Sequence, residues 1–279
     1  MGDLSGRTFL VTGGNTGIGL ATARSLAARG GRVHLACRSK EKGEAAVAAI
    51  AAATGSKDVR FLQLDLADLA GVRQAAQAFL VLGEPLHVLI NNAGIGGQRG
   101  LTRDGFELMF GVNHLGHFAF TMALLDCLSS TGAGARIVNV ASDAHYQAPG
   151  IDFEVLRRRT RTVTGMREYS VSKLANVLFS QELARRLDGT GVTSYALHPG
   201  VVASDIWRRI PWPARWLVTR RMLTVEEGAR TSLYCATAPE LAASSGRYYD
   251  KCAEREPSPV ATADLGKQLW EQSEEWTRA

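Results

Sequence analysis

The chain has 279 residues, with 32 Lys and Arg against 27 Asp and Glu, a net charge of +5. Its apolar share of 46% and its 29 glycines suit a globular chain and exclude collagen-like, disordered and strongly polybasic classes. No apolar run approaches the roughly eighteen uncharged residues of a membrane span. The four cysteines form no C-x-x-C pair, which argues against a zinc ribbon or a disulfide frame and for a reducing, cytoplasmic setting.

The start, MGDLSGRTFLVTGG, passes straight into an apolar run, so no signal peptide is expected. RTFLVTG (7–13) reads as a first strand, followed by a helix through GLATARSLAARG that Gly30 and Gly31 close. RVHLAC (32–37) is a second strand and KEKGEAAVAAIAAATG a second helix. VRFLQLD (59–65) is a third strand, and Asp68 supplies an N-cap for the helix in DLAGVRQAAQAFLVLG. LHVLINNAG (86–94) is a fourth strand, a long helix is expected over about 104–128, and ARIVNVAS (135–142) is a fifth strand. The stretch 167–187 is helical and VTSYALHPG (192–200) is a sixth strand. A helix in TVEEGARTSLYCAT, a short strand in GRYYD and a terminal helix from about residue 263 complete the order.

Continuous apolar strands alternating with helices predict an α/β fold: one doubly wound, mainly parallel sheet of about seven strands in a single domain, 1–279. Ligands of such sheets bind at the C-terminal strand edge. The first strand–helix turn there is TGGNTGIG, a G-x-x-x-G-x-G spacing built on Gly13, Gly17 and Gly19. Glycines let the backbone approach a phosphate, and the following helix offers free N–H groups and its positive dipole end. The residues between them, Asn15, Thr16 and Ile18, belong to the same cofactor-binding turn.

After strand two, an acid would accept hydrogen bonds from an NAD ribose. This chain has ACRSKEK instead, which puts Arg38 where a ribose 2′-phosphate would lie and favours NADP (NADPH). The alternative is an Arg38 that merely lies on the surface beside Glu41. Asp65, with Leu66 after it, falls at the expected adenine edge. NNAG (91–94) closes strand four, so that Asn92, Ala93 and Gly94 keep the backbone close to the cofactor.

The stretch REYSVSKLANVLFSQELARRL places Tyr169 and Lys173 one helical turn apart on one face. A free phenol ionises near pH 10. A cation about 4 Å away is worth ~4 kcal/mol at an effective dielectric near 20, so Lys173 is expected to pull Tyr169 down. His114, His117, His145 and His198 have no spacing that closes a ligand set, and no metal is expected. Two basic segments stand out, RRRTR (157–161) and WRRIPWPARWLVTRR (207–221). Neither resembles a nucleic-acid module; a weak membrane-surface contact is the reading kept for the second. Residues 203–224, with Trp207 and Met222, read as a substrate lid whose aromatic content suits a hydrophobic substrate.

Taken in order, TGGNTGIG, NNAG, YSVSK and HPG resemble the short-chain dehydrogenase/reductase family over nearly the whole chain. ACRS, VNHLGHF, the long interval between Ser142 and Tyr169 and the ending LGKQLWEQSEEW resemble its NADP-dependent retinol dehydrogenase-like branch. That branch in turn resembles WW-domain oxidoreductase and protochlorophyllide reductase. The resemblance implies a catalytic set of Asn113, Ser142, Tyr169 and Lys173. It also implies that Tyr169 and Lys173 touch the cofactor, that Pro199 and Gly200 line the nicotinamide, and that Val202 and Ser204 reach its carboxamide and pyrophosphate. A homodimer or tetramer is implied as well. Asp143 departs from the pattern, and the membrane anchor of the retinol dehydrogenases is not read at the start of this sequence.

The expected activity is hydride transfer between NADP(H) and the carbonyl or alcohol of a hydrophobic aldehyde, ketone or retinol-like substrate. Tyr169 would act as acid and base, Ser142 would hold the substrate oxygen, and Asn113 would support a water in the proton path. A C=C reductase of the same fold and a non-catalytic NADP-sensing regulator remain as alternatives.

Overall fold

The computed structural model describes residues 2–132, 134–201 and 223–278. Among these residues eight strands form one sheet: β1 (Thr8–Thr12), β2 (Arg32–Cys37), β3 (Val59–Gln63), β4 (Val88–Asn91), β5 (Arg136–Val140), β6 (Thr193–His198), β7 (Arg247–Asp250) and β8 (Ala253–Glu254). Their order is β3-β2-β1-β4-β5-β6-β7-β8. Every pairing is parallel except β7 with β8. The eighth strand exceeds the expected seven. It is an exposed two-residue edge turned back through Lys251 and Cys252, both with positive φ, and no apolar run announces it.

Among the described residues seven α-helices flank the sheet: α1 (Gly17–Ala27), α2 (Lys40–Thr54), α3 (Leu69–Leu80), α4 (Leu108–Ser130), α5 (Met166–Arg186), α6 (Val225–Thr237) and α7 (Ala263–Thr277). Side chains alternate across the pleat as strand geometry requires. Leu10, Leu89 and Ile137 face the core under α3, α4, α5 and α7. Phe9, Val88 and Val138 face the opposite core under α1, α2 and α6. Asp68 caps α3 as expected, accepting from the Gly71 amide at 3.3 Å. α1 stops at Ala27, and Gly30 and Gly31 return to Ala27 and Leu26 from just beyond it.

α4 begins four residues later than expected and contains a π-helical turn, Gly111–Leu115. It is long and apolar enough to cross a bilayer, but 67% of its apolar window is buried in this fold, as in a core helix. Phe118 of α4 lies against Phe179 of α5 and Trp270 of α7, with ring centroids 5.4 and 5.0 Å away. That contact locks the helix carrying Asn113 to the helix carrying Tyr169.

Candidate active site

Strand order reverses between β1 and β4, so a crevice opens at their C-terminal ends. Thr12 ends β1 and ties that crevice together. Its hydroxyl oxygen accepts from the amides of Asn92 and Ala93, both at 2.9 Å, and its carbonyl accepts from Asn92 Nδ2 at 2.8 Å. With both lone pairs in use, the hydroxyl proton points to His117 Nε2 at 2.8 Å. The ring proton then sits on Nδ1 and is donated to the Asn113 carbonyl at 2.9 Å. Burial holds His117 neutral, its pKa lowered to about 4.

The glycine turn fits against this frame at backbone distance. Gly13 and Gly17 have φ of +65° and +55°. A Cβ on Gly19 would lie 2.4 Å from the Gly13 carbonyl oxygen and from Asn92 Nδ2, so only glycine fits. Thr16 is the N-cap of α1 in extended conformation, and the first turn holds no acid, so the dipole end can serve an anion. Asn15 and Ile18 lie in the same turn. The cradle a Cβ would fill, together with this helix end, suits a dinucleotide pyrophosphate.

Arg38 is exposed just past β2, directly before Ser39, whose hydroxyl caps α2 by accepting from the Lys42 amide at 3.3 Å. Asp65 lies beyond the end of β3 and accepts from the Ala67 amide at 3.0 Å. Buried Leu66 beside it packs under Gly116, where a Cβ would come 2.5 Å from the Leu66 carbonyl oxygen. Pro199 and Gly200 follow β6, and Gly200 has φ +86°. Val202, Ser204 and residues 203–222 of the expected lid lie outside the described residues.

Three elements bring the reactive candidates together. Asn113 sits in the π-helical turn, a feature frequent at functional sites. Its side chain is held on both sides: Oδ1 accepts from the Ile95 amide at 2.8 Å, and Nδ2 donates to the Ile95 carbonyl and Ser172 Oγ. Lys173 of α5 is only 3% exposed and donates to the Val140 carbonyl at 2.9 Å. A Cβ on Gly94 would lie 3.4 Å from Lys173 Nζ and 3.5 Å from Asn113 Oδ1, so NNAG, Asn113 and Lys173 converge. The Lys173 ammonium is 5.7 Å from the centre of the Tyr169 ring.

Burial pushes the half-buried Tyr169 phenol up, the Ser142 hydroxyl draws it down, and the Asp143 carboxylate pushes it up again. The expected lowering by Lys173 is not found in the protein alone. Lys173 is itself desolvated, its pKa lowered to about 8, and its ammonium is directed at a carbonyl rather than at the phenol. Spacing revealed that the two side chains share a face but not how deeply the lysine is buried.

Ser142 follows β5. Its hydroxyl donates to Asp143 Oδ1 at 3.3 Å and accepts from the Ala144 amide at 3.2 Å. His198, at the end of β6, accepts from the Asp143 amide through Nδ1 at 3.3 Å, with Nε2 3.7 Å from the Asp143 carboxylate. His114 pairs with Ser273 Oγ, and His145 with the Ser142 carbonyl and the Ser258 amide. Among the described residues, no group of three or more His, Cys, Asp and Glu could hold a metal ion. Thr12 and His117 join the site without being among its expected residues. Their signal was a hydroxyl ending an apolar strand and a histidine four residues after Asn113.

Residues 7–154 match the family described as short chain dehydrogenase. The chain belongs to the short-chain dehydrogenase/reductase family and is an oxidoreductase of that family. It is 47% identical to human dehydrogenase/reductase SDR family member 13, over 98% of this chain and 74% of that protein. It is 46% identical to human retinol dehydrogenase 12, over 96% of this chain and 85% of that protein. Among solved structures, an uncharacterized protein from Mycobacterium paratuberculosis matches with a TM-score of 0.79 and 36% identity, over 99% of this chain and 95% of that one. The Pseudomonas aeruginosa RhlG/NADP active-site complex matches with a TM-score of 0.73 and 27% identity, over 88% and 94% of the two chains.

Proposed function

We propose that this protein is an NADP(H)-dependent oxidoreductase that interconverts a lipophilic aldehyde or ketone and its alcohol. The observation that carries the reading is the grouping of the Tyr169 phenol with the Ser142 hydroxyl and, 5.7 Å from its ring, the Lys173 ammonium, which stands beside Gly94. A bound nicotinamide supplies or accepts the hydride. The chain's own residues manage the proton. A phenol held protonated by burial is the form a donor needs, and it suits reduction of a carbonyl oxygen. Ser142 holds that oxygen beside Tyr169. Lys173 stands next in line as the proton source that recharges the phenol.

NADP as the cofactor is supported by exposed Arg38 after β2 and by the NADP complex among the structural neighbours. Arg38→Asp should weaken NADPH binding roughly ten- to hundredfold, the worth of a lost charge-assisted contact, and leave NADH nearly unchanged. Calorimetric titration of both cofactors checks this, and equal losses for the two would remove Arg38 from the 2′-phosphate. A lipophilic substrate is supported by the similarity to retinol dehydrogenase 12, which the chain matches almost end to end. Turnover rising along a series of aldehydes of increasing chain length tests that choice; a flat series speaks against it.

Asp143 gives a signed prediction of pH dependence. Its carboxylate raises Tyr169, so Asp143→Asn should lower the phenol's pKa. Alcohol oxidation needs the phenolate, so the rising limb of its pH–rate profile should move to lower pH in the variant. A limb that stays put or moves upward would contradict the assignment of Tyr169 as the base.

A further inference from the structure

The arginine run at residues 157–161 has no part in this chemistry. It lies between β5 and α5 beside a cleft of about 610 Å³. Ile151, Val155 and Val171 wall the cleft, and Arg158, Arg159, Arg161 and Arg167 line it. Neither Ser142, Tyr169 nor Lys173 lines it. Arg167 and Val171 stand one turn apart on α5, on the side of the helix opposite Tyr169 and Lys173. The cleft is therefore separate from the site described above.

Its carboxylates are committed to the backbone and to hydroxyls. Glu107 accepts from the Phe110 amide at 2.8 Å and from the Thr160 hydroxyl. Glu168 accepts from the amides of Arg161 and Thr162, both at 2.9 Å, and from the Thr162 hydroxyl. Asp152 accepts from the Glu154 amide at 3.1 Å. Arg157, first in the run, stacks on Phe106 with its guanidinium 4.5 Å from the ring centre. Among the described residues, no ion pair uses Arg158, Arg159, Arg161 or Arg167. Four arginines without a carboxylate partner among the described residues thus line a cleft with an apolar wall. Beside them Val163, 84% exposed, and Met166, 42% exposed, project into solvent.

Forked guanidinium donors match a carboxylate or phosphate, and the wall and exposed tips match hydrocarbon. We infer that the cleft binds an anionic amphiphile, an anionic headgroup joined to an alkyl chain, taken either as a free fatty carboxylate or from an anionic phospholipid. A nucleic-acid strand fits less well, because among the described residues the lining holds no exposed aromatic ring on which a base could stack.

The test uses the full chain, the double variants Arg158→Gln/Arg159→Gln and Arg161→Gln/Arg167→Gln, and thermal unfolding as a check of fold. Monomeric oleate is titrated calorimetrically, and co-sedimentation is measured with phosphatidylcholine vesicles with and without phosphatidylserine. Saturable oleate binding, or sedimentation only with the anionic vesicles, is expected, and each double variant should weaken it about tenfold or more. Oleate binding without vesicle binding identifies the free carboxylate as the source, and the reverse identifies the phospholipid. No binding of either probe, equal sedimentation with uncharged vesicles, or binding indifferent to both variants overturns the proposal. Capture of a single-stranded oligonucleotide by the same arginines, with no amphiphile binding, overturns it as well.

Discussion

Replacing Tyr169 by Phe is expected to cut turnover by roughly 10²- to 10⁴-fold while leaving cofactor affinity and the unfolding midpoint close to wild type. The ring keeps its place on α5, since Phe fills the same volume. What disappears is a hydroxyl next to Ser142, shielded enough that burial favours its protonated form. No other phenol stands on the Lys173 face of α5, and both Asn113 Nδ2 protons are already donated, to Ile95 and Ser172. A variant that binds cofactor and turns over at the wild-type rate would remove Tyr169 from the chemistry.

Lys173→Met should separate stability from activity. Burial lowers the Lys173 pKa from 10.5 to about 8, which at neutral pH corresponds to about 3 kcal/mol spent holding a charged ammonium in the core. The sign follows from proton linkage. Below pH 8 the lysine is charged in folded and unfolded chains alike, and the full cost is present. As pH rises from about 8 to 10.5, the folded chain releases the proton first, so stability rises. Met matches the length without the charge, and the Val140 carbonyl keeps a donor in Asn176 Nδ2 at 3.2 Å. The variant should therefore unfold at higher denaturant at neutral pH, by up to about 3 kcal/mol, with the advantage fading toward pH 10.5. Its turnover should fall roughly 10²-fold or more, since the phenol loses its proton source. Denaturation without added cofactor, at neutral and alkaline pH, checks the first claim, and initial rates check the second. A destabilised variant would mean that the ammonium holds α5 to β5 more strongly than its burial costs.

The fold was legible where one physical rule dominates. Strands buried on both faces read as unbroken apolar runs, and glycines at Gly13 and Gly19 mark a turn where no Cβ fits. Legibility failed where the deciding fact was depth or a hydrogen-bond partner. β8 is two exposed residues without a pattern. The π-helical turn in α4 is buried nearly all round, so no one-sided apolar spacing marks it in the run. Thr12 looks like one more strand residue until its oxygen is seen accepting two amides from the next strand. The lysine beside Tyr169 invited a simple Coulomb argument, but an ammonium at 3% exposure spends its charge on desolvation and a carbonyl instead. Asp143 was visible as a departure, and only the structure shows it acting on both Ser142 and His198.

The central claim is that hydride passes between the nicotinamide and a carbonyl carbon at this site. Incubating the protein with NADPH deuterated at the transferable position and a lipophilic unsaturated aldehyde tests it directly. The account predicts one deuterium on the carbinol carbon of the alcohol product, formed roughly 10²- to 10⁴-fold more slowly by Tyr169→Phe. Deuterium on a former alkene carbon would make the protein a C=C reductase, and cofactor binding with no transfer to any carbon would make it a sensor; either result contradicts the account.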